Sequence, residues 1–387
     1  LAKKNNKKVD IDLSSLAGDA GLTILRDSEY AMVYDRLPLF LPRIDRVFGG
    51  GLPFGRMVEI AGKPGGGKST ISFHVARVAT QLGCIVVLID VEGTADKVRL
   101  AHLGIDINKV MVKQPDKSQG IDLTVEEVGH TIEQSLEVFK NAYPGVPIVF
   151  IWDSVGQTPS KVELDKDYGE QNVGARAKSI TQFVTKIAPQ ISASKSLLIG
   201  INQVRDDIGG NPMFPTYSVP GGNAWEHYAS LRLEIQKKQA IKKGQEKIGH
   251  TMGVHIRKSK VSRPLQIADG FLISDDGIHY EYNIAEMAKE AKILNAHGAS
   301  FEYVDVNGEV HKQKRENFVE WLGTPEGAHV RAELLNKLIE LEFPQGYPAL
   351  NNRSLAVSSW IDPITVSAPP PEEDKLKQFD EGSGKGE

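Results

Sequence analysis

Residues 58–70, VEIAGKPGGGKST, narrow the folds open to this chain more than any other stretch. Val58 to Ala61 is a short apolar run that reads as a buried strand, and from Ile71 onward the periodicity is helical. Between them Gly62, Gly67, Lys68 and Ser69 complete the pattern G-x-x-x-x-G-K-[ST]. Strand, glycine-rich turn and helix in that order are the context a phosphate-binding loop requires. Through Lys63, Pro64, Gly65, Gly66 and Gly67 the backbone can curl around phosphate oxygens, and the helix opening at Lys68, Ser69 and Thr70 adds the partial positive charge of its N-terminus. Lys68 would neutralise the β- and γ-phosphates, and Ser69 would hold Mg2+ through its hydroxyl. The stretch reads as a nucleoside triphosphate site.

Outward from this loop, apolar strands and helical segments alternate. Ile85 to Asp90 is an unbroken apolar run of the kind buried on both faces of a parallel sheet, and residues 147–153 repeat it, ending in Asp153. Residues 125–139 form an amphipathic helix, 175–192 another, and 196–203 a further strand; later strands are expected at 231–236 and 252–258. The alternation predicts a P-loop α/β core around a twisted, mostly parallel, doubly wound sheet. In such sheets ligands gather at the carboxyl ends of the strands, where the loop, Glu92, Asp153 and Gln203 all fall. The expected organisation is a basic arm and docking segment at 1–43, the ATPase core at 44–280, a small α+β domain at 281–345 with a hairpin through Asn307 and Gly308, and a Pro-rich, acidic, disordered tail at 346–387. Two uses are open to the apolar stretch 30–41: a lid on the core, or a strand lent to a neighbouring subunit.

Composition sets limits on partners. The single cysteine, Cys84, excludes an intramolecular disulfide and fits a reducing, cytoplasmic compartment. No run approaches the roughly 18 apolar residues that a membrane span needs, so no membrane is expected. With a net charge of -4 in 387 residues, any polyanion binding must come from local patches.

The chemistry near the loop rests on few residues. A strand-end Asp153 can hold Mg2+ through water, and Glu92, just past its strand with Gly93 beside it, can polarise an attacking water; Asp90 reads as a strand-end cap. Gln203 ends its strand, where an amide can bond a γ-phosphate and let go after hydrolysis. Residues 204–222 follow as a 19-residue Gly- and Pro-rich loop, and 163–174 form a second loop before Arg176. Both could wrap a nucleic-acid backbone, although Asp206 and Asp207 count against a simple basic patch. Lys258 and Lys260 share one face of a strand end. They are either solvated edge charges or cations reaching the nucleotide of an adjacent subunit.

Taken together, these motifs resemble the RecA-like homologous recombinases, a family of bacterial and phage-borne proteins. The resemblance runs from about Ile44 to Pro264 and is most specific at INQVR (201–205), GGNA (221–224), YASLRL (228–233) and Lys258-Ser259-Lys260. It implies an ATP- and Mg2+-dependent helical filament on single-stranded DNA that pairs with homologous duplex DNA and exchanges strands. On this resemblance Glu92 is the catalytic glutamate and Gln203 the switch, with Lys68 on the phosphates. Lys258 and Lys260 act across the subunit interface, and Asp96 borders the base. Arg176 and Arg205, with Val173, Gly174, Ile208, Gly209, Phe214, Gly221, Gly222 and Asn223, line the DNA. Arg99 stands near where the family carries an adenine-stacking aromatic, and Glu226 and His227 replace its basic and aromatic pair. A hexameric helicase shares this core, but the lysine pair and the Asn202-Gln203 switch argue against it. An ATP-binding regulatory scaffold would need no DNA-stimulated turnover.

Overall fold

The computed structural model describes residues 14–28, 32–116, 118, 120, 122–165, 174–206, 217–218, 222–243, 245–274 and 277–357. In chain order a short helix α1 (Ser14–Asp19) precedes β1 (Arg36–Leu37), α2 (Pro42–Val47) and β2 (Leu52–Pro53). The core then runs β3 (Arg56–Gly62), α3 (Lys68–Gln81), β4 (Ile85–Asp90), α4 (Lys97–His102), β5 (Val110–Lys113), α5 (Val125–Ala142) and β6 (Ile148–Asp153). It continues through α6 (Lys161–Leu164), α7 (Ala175–Ser194), β7 (Leu197–Gln203), β8 (Arg205–Asp206), β9 (Tyr217–Ser218) and α8 (Gly222–Tyr228). Next come β10 (Leu231–Lys243), β11 (Glu246–Ser259), β12 (Ile267–Ser274) and β13 (Gly277–Ile278). The chain closes with α9 (Tyr280–Glu290), β14 (Asn295–His297), β15 (Ser300–Val304), β16 (Val310–Lys314), α10 (Arg315–Leu322) and α11 (Ala328–Glu342).

One nine-stranded sheet carries the fold, in the order β13-β12-β11-β10-β3-β7-β6-β4-β5. From β10 to β5 neighbours run parallel, and β11, β12 and β13 extend the sheet antiparallel. Strands β3, β4, β6 and β7 are buried along nearly their whole length, as apolar residues on both faces require. Alternation along β4 sends Val86 and Leu88 into the cluster shared with α3, and Val87 and Ile89 into the one shared with α5 and α7. In the second cluster Trp152 lies 5.0 Å from Phe183 and 5.7 Å, edge-on, from Trp225. Gly200 makes room for this packing, since a Cβ there would meet the Trp225 ring at 2.1 Å.

Two expectations are revised, and the stretch 30–41 lies where one of its two alternatives places it. Strands β10 and β11 extend well beyond 231–236 and 252–258 as a long hairpin, because their outer halves carry lysines and other polar residues that hide strand character in an apolar count. Within the stretch 30–41, Leu37, Leu39, Phe40 and Leu41 are fully buried in the protomer's own core, and β1 pairs with β2. Residues 346–357, expected to open a disordered tail, fold back onto that segment. Asn352 brackets the Arg36 backbone, accepting from its N–H and donating to its carbonyl, both at 2.7 Å. The Tyr347 hydroxyl donates to Asp45 at 2.8 Å, while Leu355 and Val357 are buried. The physical reason is long-range: a polar segment with a few apolar anchors orders when its amides find backbone partners, here about 300 positions earlier in the chain. Residues 358–387 lie outside the described residues.

The C-terminal unit is a three-stranded sheet, β14-β15-β16, on which α10 and α11 pack, with α9 against both helices. Its apolar residues, among them Phe301, Phe318, Leu334 and Leu338, belong to the same cluster as the α3 face of the main sheet.

Candidate nucleotide site and nucleic-acid-facing loops

The phosphate loop leaves β3 at Gly62 and enters α3 at Lys68. At Gly62 a Cβ would sit 2.5 Å from the carbonyl oxygen of Ile235 on β10, so this close approach admits no side chain. Gly67 holds the left-handed conformation, φ 106°, that turns the loop into the helix. Lys68 folds back across the loop and donates to the Lys63 carbonyl at 3.1 Å, while Lys63, Pro64 and Gly65 remain exposed. Burial pulls the Lys68 amine below its usual range, and the carboxylates of Asp153 and Glu92 oppose that shift.

Two carboxylates face this lysine with different roles. Asp153 ends β6, and the Ser69 hydroxyl donates to its Oδ2 at 3.2 Å, so the two metal-holding candidates touch. Burial and then the charge of Glu92 raise the Asp153 carboxyl to about 6. A carboxylate held this way has reason to take a cation, and the Ser69–Asp153 pair fits Mg2+ in its donor chemistry. Asp90 is a cap: it accepts from Thr94 N at 3.1 Å, Ala95 N at 2.9 Å and Gln114 Nε2 at 2.8 Å, which fixes the turn carrying Glu92. Glu92 itself is exposed.

Gln203 lies beside the loop, because β3 and β7 pair Gly62 with Gln203 and the Val204 N–H donates to the Gly62 carbonyl at 3.2 Å. Just beyond it the described ends of the 204–222 loop are paired. Arg205 pairs with Ser218 and Asp206 with Tyr217 in a small antiparallel ribbon, β8-β9, that closes the base of the loop. Gly222 and Asn223 open α8 on its far side. Val173, Ile208, Gly209, Phe214 and Gly221 fall outside the described residues.

Two expected contacts carry other duties. Arg176 is committed within the protomer, donating to the Gly156 carbonyl at 2.6 Å and pairing with Glu163 at 3.1 Å. Glu163 also closes the capping box of α6 through Ser160, so Arg176 anchors one base of the 163–174 loop, with Gly174 (φ 91°) starting α7 at the other. Asp96 is the N-cap of α4, accepting from Arg99 N at 2.8 Å. The Arg99 guanidinium lies 5.9 Å from the Phe73 ring centre.

A buried polar chain went unnoticed in the sequence. Glu59, fully buried within β3, accepts from the Asn202 amide at 3.1 Å and from Arg232 Nε at 2.5 Å. Arg232 in turn pairs with Glu226 of α8 at 2.9 Å. The signal was present as a carboxylate inside an apolar strand, with an arginine inside another. The chain ends near Lys258 and Lys260, and both ammonium groups cap α8: Lys258 reaches the carbonyls of Glu226 and His227, and Lys260 that of His227 at 3.0 Å. A helix C-terminus is a favourable seat for cations. Partial burial, with Lys260 and Arg232 nearby, lowers the Lys258 amine from its usual range.

Among the described residues no helix is long and apolar enough to cross a membrane. A model of the family described as RecA N-terminal domain matches residues 41–279. The chain is 32% identical over 310 residues to Protein RecA of Heliobacterium modesticaldum, covering 79% of this chain and 84% of that one. It is 34% identical to Protein RecA of Clostridium acetobutylicum, covering 75% and 78%. With Protein RecA of Symbiobacterium thermophilum it shares 30% identity over 88% and 93% of the two chains. The phosphate loop, its carboxylates and the β7 switch strand all lie within the matched span, and the chain belongs to the RecA family of recombinases.

Proposed function

We propose that this chain is a DNA-dependent ATPase that polymerises as a helical filament on single-stranded DNA, pairs it with homologous duplex and exchanges strands. The observation that carries the reading is the seating of Gln203 against Gly62 of the phosphate loop, two residues before the β8-β9 ribbon that closes the 204–222 loop. A change at a γ-phosphate is thereby one strand end away from a candidate DNA-binding loop.

In this reading Lys63 to Thr70 wrap the triphosphate, with Lys68 leaving the Lys63 carbonyl for the phosphates. Ser69 and Asp153 hold Mg2+, which when bound neutralises phosphate charge. Glu92, held by the turn that Asp90 caps, orients the attacking water and takes its proton. Asp96 borders the base. Lys258 and Lys260 leave the carbonyls of α8 for the nucleotide of the adjacent subunit, where two cations stabilise charge developing in transfer. Arg205, Gly222 and Asn223 contact DNA, together with Val173, Gly174, Ile208, Gly209, Phe214 and Gly221. Arg176 supports the other loop from its base. The core spans 44–280 and the small domain begins at 281; the single buried Cys84 suits a cytoplasmic setting.

ATP hydrolysis with and without single-stranded DNA, with electron microscopy of the products, tests this. Helical filaments whose hydrolysis rises with DNA are expected. Closed rings that unwind duplex would instead indicate a helicase, and turnover indifferent to DNA would leave an ATP-binding scaffold.

A further inference from the structure

The C-terminal unit contains a side-chain cluster that the nucleotide and DNA chemistry does not use. Asp305 opens the turn between β15 and β16, His311 follows on β16, and His329 lies in the first turn of α11. One ligand atom from each lies within 4.8 Å of the others. We propose that these three residues bind a divalent transition-metal cation, Zn2+ in the first instance, which staples the β15-β16 hairpin to α11.

His329 Nδ1 lies 2.7 Å from the Glu326 carbonyl oxygen, so it must carry the proton and donate. In the neutral ring Nε2 is then left with a lone pair, and that lone pair faces the Asp305 Oδ2 at 3.6 Å. Two acceptors facing each other gain nothing unless a proton or a cation sits between them. A backbone carbonyl on one imidazole nitrogen is also the usual outer partner of a metal-bound histidine.

The carboxylate is equally prepared. Asp305 Oδ1 is occupied by the backbone N–H groups of Asn307 and Glu309, both at 2.9 Å, which fixes the group and leaves Oδ2 for the two rings. His311 Nε2 is 3.2 Å from Oδ2. Donors bound to tetrahedral zinc at its ordinary bond lengths stand roughly 3.3 Å apart, close to the 3.2 Å and 3.6 Å separations of the two rings from Asp305 Oδ2, and the third separation is within 4.8 Å.

Shielding and access are both provided. Trp321 stacks on His311 with ring centres 4.9 Å apart and covers one side of the cluster. Asp305 is 1% exposed and His311 9%, whereas His329 at 47% leaves an entrance from solvent. Two imidazoles and one carboxylate suit zinc with water in the fourth position, and disfavour Mg2+ or Ca2+, which prefer oxygen. The proposed site is separate from the Ser69–Asp153 pair.

The test uses the full chain, stripped with a chelator, supplied with Zn2+ without nucleotide, dialysed and assayed for retained metal. One zinc per chain is expected, with a higher Tm than the stripped protein; Co2+ in its place should give tetrahedral visible absorption. His329→Ala, at a half-exposed position, should fold and hydrolyse ATP normally but lose both the retained zinc and the Tm rise. Asp153→Asn should keep the zinc. The proposal is overturned if the wild-type chain retains no stoichiometric zinc, or if His329→Ala retains as much as wild type.

Discussion

The phosphate loop and the α8 corner carry positive charge by opposite means. The loop is built from backbone, with Gly62 and Gly67 held by β10 and by the left-handed turn, and its lysine resting on a loop carbonyl. Its residues all come from one protomer. The corner is built from side chains: Lys258 and Lys260 rest on carbonyls at the end of α8, with Glu226, Arg232 and Glu59 beneath them. A cation already satisfied at a helix C-terminus needs a stronger attraction to leave it. In the proposed reading an adjacent subunit's triphosphate supplies that attraction. The contrast suggests a machine in which nucleotide binding is preformed and catalysis waits for assembly.

The largest break in this comparison should come from the loop's own side. Glu92→Gln is expected to keep ATP and DNA binding and lose about 10³-fold in turnover, since a positioned base contributes on that order; wild-type hydrolysis would remove Glu92 from the role. Next, Glu59→Ala should lower stability by about 3 kcal/mol in denaturant unfolding, because it leaves Arg232 and the Asn202 amide without their buried carboxylate. An unchanged midpoint would mean that the polar chain does not support the corner. Lys258→Ala should cost roughly 10²-fold in hydrolysis by DNA-bound filaments, as loss of a single transition-state donor does, and leave the unfolding midpoint nearly unmoved. Equal rates would return the lysine to the status of helix cap.

The smallest effect is one of pH. The Asp153 carboxyl is raised to about 6 from an ordinary 3.8, so its stabilising contribution is present when protonated below about 4 and is lost as pH rises through 6. Cation binding has the opposite sign, since a proton competes for the same oxygens. The Mg2+ concentration for half-maximal hydrolysis should therefore rise a few-fold as pH falls below about 6. In Asp153→Asn this pH dependence should disappear; if it persists, another group controls the cation.

The same contrast governs what could be read in the sequence. A backbone-built loop depends on glycine spacing and neighbouring strand and helix, all of which are local, and residues 58–70 therefore declared themselves. The carboxylates at strand ends were legible for a similar reason, since an apolar run that stops at Asp90 or Asp153 marks the sheet's edge. The corner was half legible: two lysines at alternate positions gave a shared face but not the α8 carbonyls beneath it. Arg176 and Asp96 also make contacts within the protomer, with Glu163 and with Arg99 N, that a motif cannot show because folding settles them. Glu59, Arg232 and Glu226 escape a sequence reading because they are 173 positions apart at the extremes and meet only when β3 and β10 pair. The return of residues 346–357 onto Asp35, Arg36 and Asp45 was hidden by the same distance along the chain.

The claim that the loop serves its own subunit while the corner serves its neighbour can be tested by mixing. Glu92→Gln subunits retain the lysine pair, and Lys258→Ala subunits retain the glutamate. Each alone on single-stranded DNA should hydrolyse ATP poorly. Co-assembled filaments should recover hydrolysis, because some interfaces then join an intact Glu92 to an intact Lys258 from the adjacent subunit. A mixture no more active than its two components, although both are incorporated in the filaments, would contradict action across the interface.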